Sequence, residues 1–389
     1  MSLNASPSAE RTHIAFFGRR NVGKSSVINA VTGQSLSIVS AEKGTTTDPV
    51  KKAMELLPLG PVVIIDTAGI DDEGALGEKR VKKSLETLNI TDIAVLVTDG
   101  EPSEYDEKLV EEFKKRNIPY ILCYNKSDLK RAEVKGKNEI NVSAKTGEGI
   151  NELKELIGRF AVKKDKPLVS DLISAGDTVV LVTPIDSAAP KGRLILPQQM
   201  VLRDVLDSHA VALVVQDDEL ETALSRLSSP PRLVICDSQV FGKVAKIVPE
   251  NVPLTSFSIV MLRYKLGIET AFKASEALDL LKAGDKVLIS EGCTHHRQCD
   301  DIGTVKLPGW LENFAGAKLD FSFTSGGEFP EDVSKYKLVV HCGGCMLNDA
   351  AMRARAEICS TQGVPFTNYG VVISKIHGIL ERALEIFEE

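Results

Sequence analysis

The chain has 389 residues, of which 43% are hydrophobic and 26% are charged, and its formal net charge is −7. This length predicts two or three domains, and the acidic balance argues against a nucleic-acid binder, which usually presents a basic face. No apolar run is long enough to cross a bilayer, and the first ten residues lack the pattern of a signal peptide. We therefore expect a cytoplasmic protein with no membrane or nucleic-acid partner.

Residues 12 to 155 alternate short apolar runs with amphipathic stretches. Near-continuous apolar runs suit strands that are buried on both faces of a mostly parallel sheet, with helices between them. The charged stretch VKKDKP (162–167) ends in proline and is interpreted as a linker, so that a first α/β domain covers residues 1–165. The strands predicted in it are HIAFF (13–17), VVIID (62–66), IAVLV (93–97) and YILCY (120–124).

The α/β pattern recurs after the linker, and no internal repeat of fixed period is evident. We expect two smaller α/β domains there, at residues 170–262 and 265–389. The first of these two domains carries no catalytic constellation and is interpreted as an oligomerisation domain. The strands predicted in this part are TVVLV (178–182), ALVV (212–215), RLVIC (232–236), KVLIS (286–290), KLDFSF (318–323) and KLVVH (337–341).

The stretch GRRNVGKS follows the first predicted strand and matches GxxxxGK[ST] at every fixed position. The glycines let backbone N–H groups surround phosphates, Lys24 reaches the β and γ phosphates, and the Ser25 hydroxyl can bind Mg²⁺. The sequence thus predicts a P-loop at the start of a helix. The residues predicted to contact the nucleotide here are Gly18, Asn21, Val22, Gly23, Lys24, Ser25 and Ser26.

Three further motifs follow predicted strands. DTAG (66–69) offers Asp66 to Mg²⁺ and the N–H of Gly69 to the γ-phosphate. NKSD (125–128) offers the two carboxylate oxygens of Asp128 to the N1–H and N2–H₂ donors of guanine, a pair of donors that adenine lacks. Together with the P-loop, these motifs predict a GTPase that binds GTP or GDP with Mg²⁺. The other residues predicted around the base are Asn125, Lys126, Ser143, Ala144 and Lys145, the last three from the motif SAK.

Isoleucine follows DTAG, at position 70, where many GTPases have a glutamine that orients the attacking water. Isoleucine cannot bond water, so we expect slow hydrolysis unless another group helps. The GxxNxGKS form of the P-loop, with Asn21, resembles the potassium-activated GTPases such as the tRNA-modifying MnmE. This resemblance implies that Asn21 helps to hold a K⁺ beside the phosphates and that Glu78 orients the water. A solvated helix face is an equal interpretation of Glu78.

GTTTD (44–48) lies where the first switch of such a GTPase is expected. The resemblance implies that Thr46 is the switch threonine that binds Mg²⁺. Thr45 and Thr47 lie beside it and leave the register open.

Cysteines and histidines cluster after two predicted strands, in CTHHRQC (293–299) and HCGGC (341–345). The carboxyl ends of parallel strands meet at one edge of a sheet, so these segments are expected to converge there. Structural zinc could use two cysteines and two histidines, or three and one. A [4Fe–4S] cluster could use Cys293, Cys342 and Cys345, whereas a redox dithiol would use only the last two. The spacing does not separate zinc from iron–sulfur.

The pattern CxH…HCxxC behind a potassium-type GTPase, together with APKGRLILPQ (189–198), resembles the HydF family of [FeFe]-hydrogenase maturation GTPases over essentially the whole chain. The resemblance implies GTPase, dimerisation and cluster-binding domains, and a [4Fe–4S] cluster with an exchangeable fourth ligand. The residues that it implies as cluster ligands are Cys293, Cys342 and Cys345, with His295 and His341 for the fourth position and His296 and Cys299 as further candidates.

The same resemblance implies a homodimeric scaffold that carries a diiron precursor to the [FeFe]-hydrogenase apo-enzyme, together with the radical-SAM maturases HydE and HydG as partners. A replaceable fourth ligand suits a carrier that must release its cargo. Two other functions stay open on the residues alone. One is a ribosome- or tRNA-directed GTPase with a zinc-stabilised C-terminal domain, and the other is a redox sensor.

Overall fold

A computed structural model of the chain describes residues 7–33, 49–67, 83–161, 166–185, 194–293 and 302–388. The chain divides into two compact units, one of residues 1–164 with 348–351 and the other of residues 165–347 with 352–389. In the described ranges, no helix combines the length and the apolar character that crossing a membrane requires.

The first unit contains a six-stranded sheet in the order β2-β3-β1-β4-β5-β6, in which only β2 runs antiparallel to its neighbour. Every residue of β1 and β4 is buried, as their continuous apolar sequences predict. The strands are β1 (Thr12–Phe17), β2 (Val50–Leu56), β3 (Gly60–Asp66), β4 (Ile93–Thr98), β5 (Tyr120–Tyr124) and β6 (Glu139–Asn141). Its helices are α1 (Lys24–Thr32), α2 (Glu104–Lys115) and α3 (Ile150–Ala161), with further helical residues at 83–88.

The second unit contains two four-stranded parallel sheets, in the orders β10-β9-β7-β8 and β12-β11-β13-β14. One hydrophobic core includes residues from both sheets. The strands are β7 (Thr178–Val182), β8 (Val211–Val215), β9 (Leu233–Cys236), β10 (Leu254–Ser256), β11 (Lys286–Ser290), β12 (Asp320–Thr324), β13 (Leu338–His341) and β14 (Phe366–Asn368). The helices are α4 (Leu196–Asp207), α5 (Leu220–Ser225), α6 (Phe241–Ile247), α7 (Phe257–Leu266), α8 (Glu269–Asp279), α9 (Leu307–Ala315), α10 (Asp349–Thr361), α11 (Tyr369–Ile376) and α12 (Leu380–Glu385).

These two sheets are structural repeats of each other. When the four strands of each sheet are numbered along the chain, both sheets have the same spatial order: second, first, third, fourth. The second strand therefore lies at one edge and the fourth at the other. The matching sequences are AGDTVVLV with AGDKVLIS, which form the turns before β7 and β11 and those strands, and VPLTSF with VPFTNY, which form β10 and β14. Gly176 and Gly284 occupy equivalent turns with φ of 87° and 81°. The sequence shows no repeat of fixed period because the connections between the matching segments differ in length.

Two local elements of the structure were not predicted from the sequence. LILPQ, at the end of the basic stretch 189–198, has an apolar pattern like that of a strand, but helix α4 begins at Leu196. Pro197 lies in the first turn of α4, where its missing N–H costs no helical bond and its fixed φ favours the helix. Strand β2 was not predicted because its sequence, VKKAMEL, contains no continuous apolar run. In the structure most of its residues are exposed.

Candidate nucleotide site and cysteine site

The P-loop joins β1 to α1 through backbone that requires glycine at two positions. Gly18 and Gly23 have φ of 150° and 89°, and an added Cβ would meet the carbonyl oxygen of Val97 or the side-chain amide of Asn125. Asn21 also has a positive φ, of 66°, which asparagine tolerates better than most residues. The loop therefore has the tight turn that aims N–H groups at phosphates.

Three of the side chains predicted to bind phosphate and Mg²⁺, those of Lys24, Ser25 and Asp66, lie together at the ends of β1 and β3. Lys24 is buried and its Nζ contacts both the Asp66 carboxylate and the Thr67 carbonyl oxygen. The Ser25 hydroxyl lies 3.3 Å from the other oxygen of Asp66. A hydroxyl and a carboxylate side by side are the oxygen ligands that Mg²⁺ prefers. Ser26 is exposed on α1.

The base-binding motifs form one hydrogen-bonded network with the P-loop. Asn125 donates from Nδ2 to the carbonyl oxygen of Val22 at 2.9 Å and accepts from the N–H of Ala144 at 3.1 Å. Ser143 donates from Oγ to Asp128 at 2.7 Å, which orients the carboxylate that would select guanine. Asp128 itself is exposed, so its second oxygen can reach a ligand.

Lys126 ties the base-binding side to the phosphate side. Its Nζ donates to the carbonyl oxygen of Asn21 at 2.9 Å and to Asp99 at 2.7 Å. Asp99 contributes to the site but was not predicted; the sequence signal that could have revealed it is its position directly after strand β4.

The other predicted residues of the GTPase site have no described contacts with these groups or lie outside the described residues. Lys145 is exposed. The predicted switch and hydrolysis residues Thr46, Gly69, Ile70 and Glu78 lie outside the described residues.

The cysteine segments meet at the carboxyl edge of the second repeat's sheet. Strands β11 and β13 are parallel neighbours with Ser290 paired to His341, so Cys293 and Cys342 follow adjacent strand ends. The N–H of Gly292 donates to the Cys342 sulfur at 3.1 Å. The parallel register thus brings together thiols that lie far apart in the sequence, as the motif positions predict.

The Cys342 sulfur accepts two backbone hydrogen bonds. The N–H groups of Gly292 and Gly344 both point at it, at 3.1 and 3.4 Å. Burial raises the pKa of Cys342 to about 12; charge on Cys293 or Cys345 also raises it, and the two N–H groups oppose the rise. Within the described ranges, no three His, Cys, Asp or Glu side chains are arranged as a metal site.

His341 is fully buried, and both of its ring nitrogens have partners. Nε2 accepts from the Arg355 guanidinium at 2.7 Å, and Nδ1 lies 2.8 Å from the carbonyl oxygen of Cys342. Burial, with the Arg355 charge, lowers the pKa of His341 to about 3, so the ring is neutral with its proton on Nδ1. His341 can therefore ligate a metal only after it gives up one of these bonds.

The loop that follows β13 carries Cys342 and Cys345 and is called the cysteine loop below. Arg355, on helix α10, is a buried cation beside it. It is 4% exposed and donates to the Ser290 hydroxyl at 3.2 Å and to the carbonyl oxygen of Gly326 at 2.6 Å, besides His341. Burial lowers its pKa to about 10, which leaves it charged at neutral pH. The groups that accept its hydrogen bonds among the described residues are all neutral, so its charge is available to an anionic centre nearby.

A second buried cation also contacts the loop. Lys265, on helix α7, donates to the carbonyl oxygen of Leu347 at 2.8 Å. Burial raises the pKa of Cys345, and the charge of Lys265 works against that rise. The loop also rests on α7 at Gly343, whose added Cβ would lie 3.8 Å from the Met261 side chain. The first repeat therefore supports the cysteines of the second.

The two cations were missed in the sequence, although Arg355 had a visible signal. It lies between Met352 and Cys359 at the three- and four-residue spacing of the buried stripe of α10, where an arginine is unusual. Lys265 lies near the end of an apolar helix and carries no such signal.

The candidates His295, His296 and Cys299 lie outside the described residues. The remaining described cysteines, Cys123, Cys236 and Cys359, are buried.

Three family models match the chain. Residues 13–126 match a 50S ribosome-binding GTPase model. Residues 168–266 match the Hydrogen maturase F dimerization domain, and residues 269–386 match the Hydrogen maturase F tetramerization domain. The two hydrogen maturase F models together span more than half of the chain.

The chain belongs to the hydrogen maturase F family. Along the chain, the matched regions are a GTPase region, then the dimerization domain, and then the tetramerization domain. The α/β fold with mostly parallel sheets, predicted from the sequence, is confirmed.

The GTPase part of this hydrogen maturase F chain is also similar to other bacterial GTPases. It is 37% identical to the tRNA modification GTPase MnmE of Legionella pneumophila (strain Corby) over 153 residues, 38% of this chain and 34% of that protein. It is 32% identical to GTPase Der of Campylobacter hominis over 175 residues, 42% of this chain and 36% of that protein. The chain therefore spans about a third of the length of these relatives.

Solved structures of GTPases are similar to parts of the chain. A probable GTP-binding protein engB has 22% identity and a TM-score of 0.29, over 39% of this chain and 98% of that one. Era of Aquifex aeolicus bound to GDP.AlF4⁻ has 18% identity and a TM-score of 0.33, over 52% of this chain and 92% of that one.

Proposed function

We propose that the chain is a GTP-hydrolysing scaffold that binds a [4Fe–4S] cluster and a diiron precursor and delivers the precursor to the [FeFe]-hydrogenase apo-enzyme. The observation that carries the proposal is the convergence of Cys293, Cys342 and Cys345 at one sheet edge. All three cysteines lie within the residues that match the hydrogen maturase F tetramerization domain. HydE and HydG are the proposed further partners, and the cytoplasm is the proposed location.

The chemistry of the site fits such a cluster. Thiolates are the protein ligands of [4Fe–4S] clusters, and N–H groups aimed at the sulfurs stabilise their negative charge. Gly292 and Gly344 supply such N–H groups to Cys342, and Arg355 and Lys265 place two positive charges beside the loop. When bound, the cluster would supply an iron with a replaceable ligand.

The fourth ligand determines whether cargo can be released. We propose His295 or His341 for this position. His341 is held by Arg355 and by the carbonyl oxygen of Cys342, so its use as a ligand requires the ring to leave Arg355. A ligand held back in this way binds weakly, which suits a carrier that must give its cargo away.

The GTPase domain is proposed to hydrolyse GTP slowly and with potassium. Lys24 would contact the β and γ phosphates, Ser25, Thr46 and Asp66 would hold Mg²⁺, and Gly69 would donate to the γ-phosphate. Asn21 would bind K⁺ and Glu78 would orient the water. The similarity to MnmE supports the potassium assignment.

The proposed domains are a GTPase domain at 1–165, a dimerisation domain at 170–262 and a cluster domain at 265–389. GTP binding would change the contacts of the GTPase domain with partners. If variants locked in the GTP-bound or GDP-bound state differ neither in partner affinity nor in cargo transfer, this coupling is wrong.

Delivery can be tested directly. Wild-type chain loaded anaerobically with the cluster and the diiron precursor is mixed with apo-hydrogenase, and hydrogen evolution is recorded. We expect Cys342→Ser to abolish activation and Cys359→Ser, a change at a fully buried cysteine of α10, to leave it intact. Equal activation by Cys342→Ser and wild type would refute the carrier function. A colourless protein that holds one zinc would instead favour the ribosome- or tRNA-directed GTPase.

A further inference from the structure

The second repeat's sheet has one covered edge and one open edge. Strand β14, at one edge, packs against helices α7 and α8. Strand β12, at the other edge, pairs with β11, and this is its one strand pairing among the described residues. An open edge offers unpaired backbone groups to another strand.

The pairing with β11 fixes which backbone groups of β12 face outward. Asp320 donates to the carbonyl oxygen of Asp285 at 2.9 Å, and Thr324 accepts from Glu291 at 3.0 Å. Alternate residues of a strand point their N–H and C=O groups to opposite sides, so those of Phe321 and Phe323 point away from β11.

One backbone group directly before β12 already has a hydrogen-bond partner. The N–H of Leu319 is taken by the carboxylate of Glu312 at 3.2 Å. Phe321 and Phe323 therefore present two N–H and two C=O groups, and the described residues supply no hydrogen-bond partner for them.

The side chains of the same two residues form an apolar surface. Phe321 and Phe323 lie on one face of the sheet with ring centroids 6.5 Å apart, in a stacked arrangement. Phe321 packs partly on the hydrophobic core, whereas Phe323 is 39% exposed. A large apolar ring next to unpaired backbone marks an interaction surface.

We propose that β12 pairs antiparallel with β12 of a second copy of this chain, about a two-fold axis at Ser322. In this register Phe321 of one copy lies opposite Phe323 of the other, and each such pair exchanges two N–H···O=C bonds. All of the outward groups are then satisfied, and four phenylalanine rings lie on one face. Asp320 lies opposite Thr324, so no like charges face each other.

Two observations favour a second copy over another partner. The strand is self-complementary, as a two-fold interface requires, and it lies in the residues that match the family's tetramerization domain. Strand β8 has the equivalent place in the first repeat, with the same order of exposed and half-buried residues, and lies in the match to the dimerization domain.

The size of the assembly tests this pairing. The full chain and its variants are compared by sedimentation velocity. Phe323→Lys places a charge in the aromatic surface, and Phe323→Pro removes an outward N–H without removing a bond to β11. We expect both to halve the mass of the assembly. Leu57→Lys, the same kind of change at an 83% exposed residue of the GTPase unit, should leave the mass unchanged. An unchanged mass for both Phe323 variants overturns the proposal.

Cross-linking tests the register independently of folding defects. Ser322 lies on the proposed axis, at a position where facing Cα atoms are about 4.5 Å apart. Mild oxidation of Ser322→Cys should therefore join two chains, whereas Asp320→Cys, on the same face but off the axis, should not exceed the wild-type background. If Ser322→Cys cross-links no more than Asp320→Cys, the pairing is wrong.

Discussion

Arg355 donates from Nη1 to Nε2 of His341 across 2.7 Å, and neither side chain is more than 4% exposed. This bond leaves the His341 proton on Nδ1, which donates to the carbonyl oxygen of Cys342. A buried guanidinium is thus linked through one imidazole to the backbone of the cysteine loop. Its charge should influence any anionic centre bound there.

The first prediction concerns that charge. Arg355→Met should make the reduction potential of the bound cluster more negative, because the reduced cluster carries one more negative charge and loses a buried positive neighbour. Arg355→Lys should restore much of the shift because it keeps the charge. The measurement is an EPR-monitored redox titration.

Arg382→Met is the control for this experiment. Arg382 also donates to several backbone carbonyl oxygens, among them those of Ala245 and Val252, and none of its hydrogen bonds within the described ranges reaches the cysteine loop. We expect its potential to match the wild type. A potential that moves equally in Arg355→Met and Arg382→Met, or in neither, contradicts the electrostatic role.

The second prediction distinguishes the two glycines of CGGC. Gly344 has a φ of 64°, and an added Cβ would lie 2.5 Å from the Met352 sulfur. Gly344→Ala should therefore lower the free energy of unfolding by about 1–3 kcal/mol and reduce iron retention. At Gly343 an added Cβ would meet nothing closer than 3.8 Å, so Gly343→Ala should behave like the wild type. Thermal unfolding and iron analysis of both variants decide the matter, and equal behaviour would count against the role given to Gly344.

The third prediction is a pH dependence of cluster assembly. Burial raises the pKa of both Cys342 and Cys345 above the ordinary thiol value. These thiols bind iron as thiolates, so assembly releases protons and becomes more favourable as the pH rises. Chelator competition at about pH 7 and about pH 8.5 should show tighter iron retention at the higher value. Retention that is independent of pH would show that the thiols are already ionised.

The fourth prediction concerns base selection. Asp128→Asn replaces a carboxylate oxygen with an N–H₂ donor, which would oppose the guanine N–H groups. GTP affinity should fall by about 100-fold, since hydrogen bonds to a charged group contribute about 1.5–3 kcal/mol each. Titration with a fluorescent GTP analogue measures the loss. Lys130→Ala, at an exposed neighbour of the motif, is the control, and an equal affinity in both variants would exclude Asp128 from base binding.

The fifth prediction concerns potassium. Asn21→Gly removes the side-chain amide while keeping the positive φ of 66° that the P-loop requires. We expect GTP binding to persist and the stimulation of hydrolysis by K⁺ over Na⁺ to disappear. Stimulation that survives in the variant would remove Asn21 from the potassium site.

Much of the site was predictable because its motifs lie at strand ends. The parallel α/β pattern places DTAG, NKSD and both cysteine segments at carboxyl edges, and the register of β11 with β13 brings Cys293 close to Cys342 as expected. Long apolar strands such as β1 and β4 are predicted well because burial on both faces leaves a continuous signal.

Other features depend on tertiary structure. The sequence marks His341 as a candidate ligand, but only packing reveals that Arg355 occupies its Nε2. Lys265 lies on the first repeat and reaches the loop of the second, a contact that no local pattern encodes. The repeat itself was missed because its matching segments are short and are separated by connections of unequal length.

The most direct test of the account is the metal content of the anaerobically purified and reconstituted chain. We predict a brown protein with about four irons per chain and an EPR signal after reduction. Replacement of Cys293, Cys342 or Cys345 by serine should remove the signal, and Cys359→Ser should retain it. A colourless wild-type protein, or a cluster that persists in all three of the first variants, would contradict the three-cysteine site.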